Sequence, residues 1–230
     1  MRGLGRLKTL WTRLTGAPVP TVMQVAKAEL ARYLSMNPVI VEAGAHIGVD
    51  TEELARQWPG GVVYAFEPVP ALFAELERRT GVLANVRRSR QALSDRDGRQ
   101  IIHLSGGASD GSSSLLVPER HLEVHPDVRF EERIEVEAVT LDRWAHEQAV
   151  EQVDLLWLDM QGMEAAVLRA SPKVLAQVRA VHTEVSLMPV YGGAILYPEF
   201  RSWMEAQGFR VEREILPYPD MGNVLFVRRV

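Results

Sequence analysis

The chain has 230 residues, of which 47 % are hydrophobic and 24 % charged, enough for one well-filled globular domain and unlike a disordered tail or a fibre. A net charge of −4 excludes a protein whose whole surface attracts nucleic acid, and the absence of cysteine excludes disulfides, thiolate zinc sites and cysteine nucleophiles. No apolar run approaches the roughly 18 residues of a membrane-spanning helix, and no apolar core follows the first basic residues as a secretory signal requires, so the cytoplasm is the expected location.

The N-terminal stretch is basic: Arg2, Arg6, Lys8, Arg13 and Lys27 all precede the first acid, Glu29, while Leu4, Leu7, Trp11 and Leu14 recur at helical spacing. Such a helix is expected to pack on its own domain or on a partner chain, an oligomer included, with an anionic membrane surface as the alternative. A second helix is predicted over Val22–Leu34, ended by Pro38. Residues 1–36 are therefore read as a helical extension and 37–230 as the main domain.

From Pro38 onward strands and helices alternate. Val39-Ile40-Val41 is a short apolar run suited to a strand buried on both faces, and Gly48–Trp58 is a helix stopped by Pro59-Gly60-Gly61. A second buried strand, Val62–Phe66, precedes a helix over Pro70–Arg79 with proline in its first turn, and a third strand is expected over Val86–Leu93. Gln100–Leu104 and Ile134–Val139 are predicted to pair as a hairpin inserted at about 99–139, enclosing the polar, glycine-rich run Gly106–Ser114. The alternation then resumes: helix Leu141–Glu147, strand Val153–Leu158, helix Met163–Ala170, strand Val178–Val185, helix Tyr197–Gln207, and a closing antiparallel pair, Phe209–Glu214 with Asn223–Val227. The pattern predicts an α/β fold: a Rossmann-like, doubly wound, mostly parallel sheet with an antiparallel closing pair, whose ligand sits at the carboxyl ends of the strands where strand order reverses.

The chemistry-bearing residues fall at those ends. Glu42-Ala43-Gly44-Ala45-His46-Ile47-Gly48 joins the first strand to its helix. Glycines there permit a close backbone approach, but a carboxylate beside them repels pyrophosphate and suits a cationic guest such as S-adenosylmethionine; a plain strand-to-helix turn is the alternative. Glu67 follows the second strand where dinucleotide folds place a ribose-binding acid, with Pro68 stiffening the backbone; by itself it reads equally as a solvated loop carboxylate. Ala92 and Leu93, within Gln91–Asp95, would frame an adenine edge or form a turn. Asp159 ends a central strand, where an acid is costly unless paired or used, and Glu164 opens the next helix, where capping accounts for it. His182 and Glu184 share one strand face, His182 also fitting a satisfied core histidine.

The ordered set Val39–Gly48, Tyr64-Ala65-Phe66-Glu67-Pro68, Ala92-Leu93-Ser94-Asp95, Thr140-Leu141-Asp142 and Asp154–Glu164 resembles the FkbM family of methyltransferases. The resemblance implies a class I methyltransferase fold and methyl transfer from S-adenosylmethionine, usually to a hydroxyl on a sugar or natural product. It implies that Gly44, Gly48 and Glu67 bind the cofactor, and Glu42, Ala45, His46, Pro68, Ala92, Leu93 and Asp159 complete the expected cofactor site. The family usually has aspartate at Glu42, asparagine at His46 and often glutamate, though also glutamine, at Gln161. An aliphatic hydroxyl needs a base or a metal to become nucleophilic, and Asp159, then Glu184, then His182 are the candidate catalytic residues. A metal is not assigned: His121 and His125 are spaced by four near Glu119 and Asp127, but Pro126 argues against a rigid site. The partner expected is a small hydroxylated acceptor, not nucleic acid; Arg87, Arg88 and Arg90 lack an aromatic platform. The competing readings are a nicotinamide-dependent oxidoreductase and a non-catalytic module on the same fold.

Overall fold

The computed structural model describes Lys27 and residues 29–229, so the amphipathic stretch around Leu4–Leu14 and most of the helix predicted at Val22–Leu34 lie outside the described residues. Residues from Tyr33 onward form one compact unit.

Apolar strands buried on both faces build its centre. Strands β1 (Val39–Ala43), β2 (Val62–Phe66) and β3 (Val86–Ser89) run one way from the middle of the sheet, with helices α1 (Val49–Gln57) and α2 (Pro70–Thr80) connecting them. The short strand β4 (Ala92–Leu93) is followed by the long β5 (Gly98–Gly107), the single-turn helix α3 (His121–Val124), β6 (Val128–Val139) and α4 (Leu141–Glu147). The second half of the sheet comes from β7 (Leu155–Leu158) and β8 (Ala180–Ser186), linked by α5 (Glu164–Arg169) and α6 (Pro172–Leu175). Helix α7 (Tyr197–Ala206) leads to the hairpin β9 (Phe209–Ile215) and β10 (Met221–Arg228).

The seven-stranded sheet has the order β3-β2-β1-β7-β8-β10-β9. β1 pairs in parallel with β2 on one side and with β7 on the other, while β10 is antiparallel to both β8 and β9. Strand order thus reverses between β1 and β7, the crevice where an open α/β sheet takes its ligand. Val41, Leu156, Val181, Val224 and Phe226 carry the core across this junction, each wholly buried. Trp144 of α4 closes one side, edge-on to Tyr64 and Phe66 with ring centroids 4.9 and 5.2 Å away.

The stretch expected as one strand over Val86–Leu93 is two. Val86–Ser89 stays in the main sheet beside β2, whereas Ala92–Leu93 crosses to a three-stranded sheet of order β4-β6-β5 and pairs with Ala138 and Val139. The small sheet packs Ala92, Ile102, Val136 and Ala138 against Val69 at the start of α2, and burying Ala92 there requires leaving the main sheet at Arg90 and Gln91. β5 and β6 pair over a longer span than the apolar pattern marks, from Gly98 opposite Ala138 to Gly107 opposite Val128. Among the described residues no helix is long and apolar enough to cross a membrane.

Candidate active site

A cavity of about 290 Å³ opens at the β1/β7 crevice. Of the residues singled out from the sequence, Gly44, Ala45, His46, Glu67, Pro68, Ala92, Leu93 and Asp159 line it. Glu42, Gly48, His182 and Glu184 do not.

The β1–α1 turn does its work through internal hydrogen bonds. Gly44 and Ala45 both donate their amides to the Phe66 carbonyl (3.1 and 3.0 Å), His46 donates its amide to Glu67 Oε2 (2.9 Å), and Gly48 donates to Ala45 O (2.8 Å). Amides spent this way cannot cradle a phosphate. The glycines answer to packing rather than to ligand approach. Gly44 has φ +78, and a Cβ there would stand 1.7 Å from the Asp159 carbonyl oxygen; at Gly48, φ +80, it would meet Leu76 Cδ1 of α2 at 2.6 Å. His46 also adopts a left-handed conformation, φ 52. Histidine is among the non-glycine residues enriched in that region.

Glu67 is 4 % exposed and doubly anchored, accepting from His46 N and from Val69 N at 2.9 Å each. Burial pushes its carboxyl up, against the pull of those two amides. Each oxygen keeps a second lone pair, so a vicinal diol can still donate to it. Pro68, Val69, Leu72, Ala92, Leu93 and Ile102 add an apolar wall beside it.

Across the crevice lies a cluster of acids. Asp159 faces the cavity from the end of β7, its amide donating to Ala43 O at 3.0 Å. The Gln161 side chain bridges two carboxylates, donating from Nε2 to Asp159 Oδ1 and to Glu184 Oε2, both at 2.8 Å. Glu164 accepts from the amides of Met160 (2.6 Å) and Gly162 (2.9 Å), pinning the turn that carries Gln161. Asp159 is pushed up by burial, with Asp50 repelling it, and Glu184 is pushed well up by burial and then by Asp159 and Glu164. Burial also lifts Glu164, to about 7.

This cluster has a consequence for stability. Carboxyls that are harder to ionise in the fold than in the open chain favour the folded state fully below their unfolded pKa and lose that contribution as pH rises through the folded value. For Glu164 that interval runs from 4.5 to about 7, and Asp159 and Glu184 act in the same sense. The melting temperature is expected to fall by on the order of 5 °C between about pH 5 and pH 8. A scanning-calorimetry series in which it rises over that interval would count against the assignment.

The segment after β5 covers the cavity. Asp110, Gly111, Ser113, Ser114 and Leu115 line it, and Asp110 Oδ1 lies 3.1 Å from His46 Nε2. With side chains 34 % and 69 % exposed, that contact is worth at most about 1 kcal/mol, a clasp that opens easily. Ser114 Oγ donates to Gln161 O at 2.9 Å.

Elsewhere the structure assigns other work to sequence candidates. Glu42 is 1 % exposed within β1, opposite Ala65 and Trp157, so Asp50 and Asp159 rather than Glu42 give the cavity its negative rim. The His182 ring stacks on Trp157 at 3.7 Å across the β7–β8 pair, inside the core. Tyr191 and Tyr197, which are not among those candidates, are buried, the latter against Glu214, and neither lines the cavity. His125 Nε2 lies 2.7 Å from Asp220 Oδ2, and His121 is enclosed by the Phe130 and Tyr191 rings at 4.9 and 5.3 Å. Among the described residues no group of three or more histidine or acidic side chains is placed to hold a metal ion. The bridging role of Gln161 was invisible in the sequence, because its partner Glu184 is 23 residues away on another strand.

The sheet order and the acid-rimmed crevice at its switch point define a class I, Rossmann-like methyltransferase fold. An rRNA methylase from Streptococcus thermophilus shares that fold, with a TM-score of 0.52 at 13 % identity over 93 % of this chain and 100 % of the other. The chain belongs to the FkbM methyltransferase family: residues 42–211 match the methyltransferase FkbM domain. It is 34 % identical to the 2-O-methyltransferase NoeI of Sinorhizobium fredii over 69 % of this chain and 68 % of that protein. It is 26 % identical to the methyltransferase sdnD of Sordaria araneosa over 85 % and 83 %.

Proposed function

We propose that this methyltransferase uses S-adenosylmethionine to methylate a hydroxyl group on a sugar or another small natural product. The observation that carries the reading is Asp159: a carboxylate at the switch point, facing the cavity and held by the Gln161 amide. The similarity to a 2-O-methyltransferase supports oxygen as the acceptor atom.

The cavity fits that cofactor by its donor set. Glu67 is fixed to receive the ribose hydroxyls, the wall of Val69, Leu72, Leu93 and Ile102 suits the adenine ring, and the rim of Asp50 and Asp159 suits positive charge. The saturated amides of Gly44, Ala45, His46 and Gly48 disfavour the pyrophosphate of a nicotinamide cofactor. When bound, S-adenosylmethionine supplies a methyl group made electrophilic by its sulfonium.

The protein's part is orientation and proton handling. Asp159 accepts the hydrogen bond of the acceptor hydroxyl and takes its proton at Oδ2, while Gln161 keeps Oδ1 engaged. Glu184, its own carboxyl pushed well up by burial and by Asp159, shares the Gln161 amide with it. The 108–114 segment keeps water from the site, and holding the two reactants in line supplies much of the rate, with roughly 7–11 kcal/mol available from orientation.

Calorimetry tests the cofactor assignment. S-adenosylhomocysteine is expected to bind with measurable heat and NAD with none. Glu67→Gln is expected to weaken that binding by about 10- to 100-fold, the loss of one charged hydrogen bond from a diol. Binding of NAD alone, or an unchanged affinity in a folded Glu67→Gln protein, overturns it. A screen with labelled methyl donor against hydroxylated sugars and polyketides then identifies the acceptor.

A further inference from the structure

Gln161 occupies an unusual position. It is 7 % exposed and has φ 54, a left-handed backbone that a residue with a long side chain seldom adopts. Its backbone is clamped by the Glu164 carboxylate, which receives the amides on either side of it, and by Ser114 Oγ on its carbonyl. Both hydrogens of its side-chain amide go to carboxylates, Asp159 and Glu184. The amide oxygen must therefore point the other way, and there it meets the Tyr191 hydroxyl at 3.1 Å. The same hydroxyl lies 2.7 Å from the carbonyl oxygen of Ser112, in the segment that covers the cavity. Burial pushes the Tyr191 hydroxyl up, so it remains a donor throughout the working pH range.

We propose that Gln161 is a positioning residue that ties the covering segment to the Asp159–Glu184 pair, with the Tyr191 hydroxyl as the link between them. The proposal rests on the methyl-transfer reading only in naming Asp159 as the group that meets the acceptor. Tyr191 has one proton and two acceptors. Docking of Ser112 draws on that proton, and its release returns the proton wholly to Gln161 Oε1, which strengthens Nε2 as a donor to the two carboxylates. Ser114 makes the second tie, to the Gln161 backbone. The position of the segment thereby sets the proton affinity of the acids, and the acids in turn hold Gln161 in the orientation that receives the segment. Hydrogen bonds to the ionised form of a carboxylate lower its pKa, so loosening Gln161 raises both midpoints.

The experiment is read on the full-length protein without ligand, so its outcome is separate from whether S-adenosylhomocysteine binds. Hydrogen exchange follows the 108–114 amides, and carbon-13 NMR of labelled aspartate and glutamate follows the titration of Asp159 and Glu184. Tyr191→Phe keeps the ring against His121 and removes the hydroxyl. It is expected to speed exchange of the segment by about tenfold and to raise the carboxyl midpoints by about half a pH unit. Gln161→Glu keeps an acceptor for Tyr191, removes both donations to the acids and sets a third carboxyl beside them, so both changes act in the same direction on the midpoints. It is expected to leave exchange of the segment within about twofold and to raise the midpoints by about one unit or more. If Tyr191→Phe loosens the segment while the midpoints stay put, Tyr191 is merely structural and the proposal falls. It falls equally if Gln161→Glu leaves the midpoints unmoved, which decides the matter even should Tyr191→Phe fail to fold.

Discussion

Asp159→Asn is expected to lower the turnover of methyl transfer by about 10²- to 10⁴-fold while leaving S-adenosylhomocysteine binding within about threefold. Asparagine keeps the oxygen that accepts from Gln161 at 2.8 Å, so the pair geometry survives while the base is lost. The pH dependence follows with a definite sign. Asp159 must be ionised to accept a proton, and burial, with Asp50 beside it, pushes its carboxyl above the ordinary aspartate range. The rate is therefore expected to climb with pH through a midpoint displaced upward from that range, and this limb is expected to vanish in Asp159→Asn. Turnover within a factor of about three of the parent enzyme, with the acid limb intact, would assign the proton to another group. Glu184, bridged to Asp159 through the same amide, would be the first to examine.

The legibility of these features in the sequence follows the range of the forces behind them. Alternating apolar strands and helices are local patterns, and they correctly indicated the mostly parallel sheet, the closing antiparallel pair and the loop at Gly44. What packs against that loop is not legible in it, because that depends on distant segments of the chain. Nothing in Glu42–Gly48 reveals that the Asp159 carbonyl will stand against Gly44, or that alternation will leave Glu42 outside the cavity while Ala43 lines it. The split of Val86–Leu93 was hidden for the same reason, since the partner of Ala92 is Ala138, supplied by a strand from the inserted segment. His182 shared a strand face with Glu184 in the alternation, but stacking on Trp157 keeps its ring in the core. Gln161 looked like the loss of an acid. In three dimensions it is the donor that lets Asp159 and Glu184 sit close together, a role visible only once β7 and β8 are adjacent.

Gly44→Ala tests the junction on which the site is built, and two separate costs meet there. An L-residue at φ +78 costs about 1–2 kcal/mol wherever it occurs. The added methyl would also lie 1.7 Å from the Asp159 carbonyl oxygen and 2.8 Å from its carbonyl carbon, both backbone atoms with no rotamer to give way. Relief requires prising β1 from β7 at the point where Asp159 N donates to Ala43 O. The combined loss is expected to exceed about 4 kcal/mol and to lower the melting temperature by on the order of 10 °C or more. Gly193 supplies the control, with φ +81 and no heavy atom within 4 Å of its Cβ position, so alanine there meets only the conformational term. Gly193→Ala is expected to cost about 1–2 kcal/mol and a few degrees. Melting temperatures for the two variants within about two degrees of each other would show that the Asp159 carbonyl is not held against Gly44, and with it would go the fixed placement of the carboxylate on which the proposed chemistry depends.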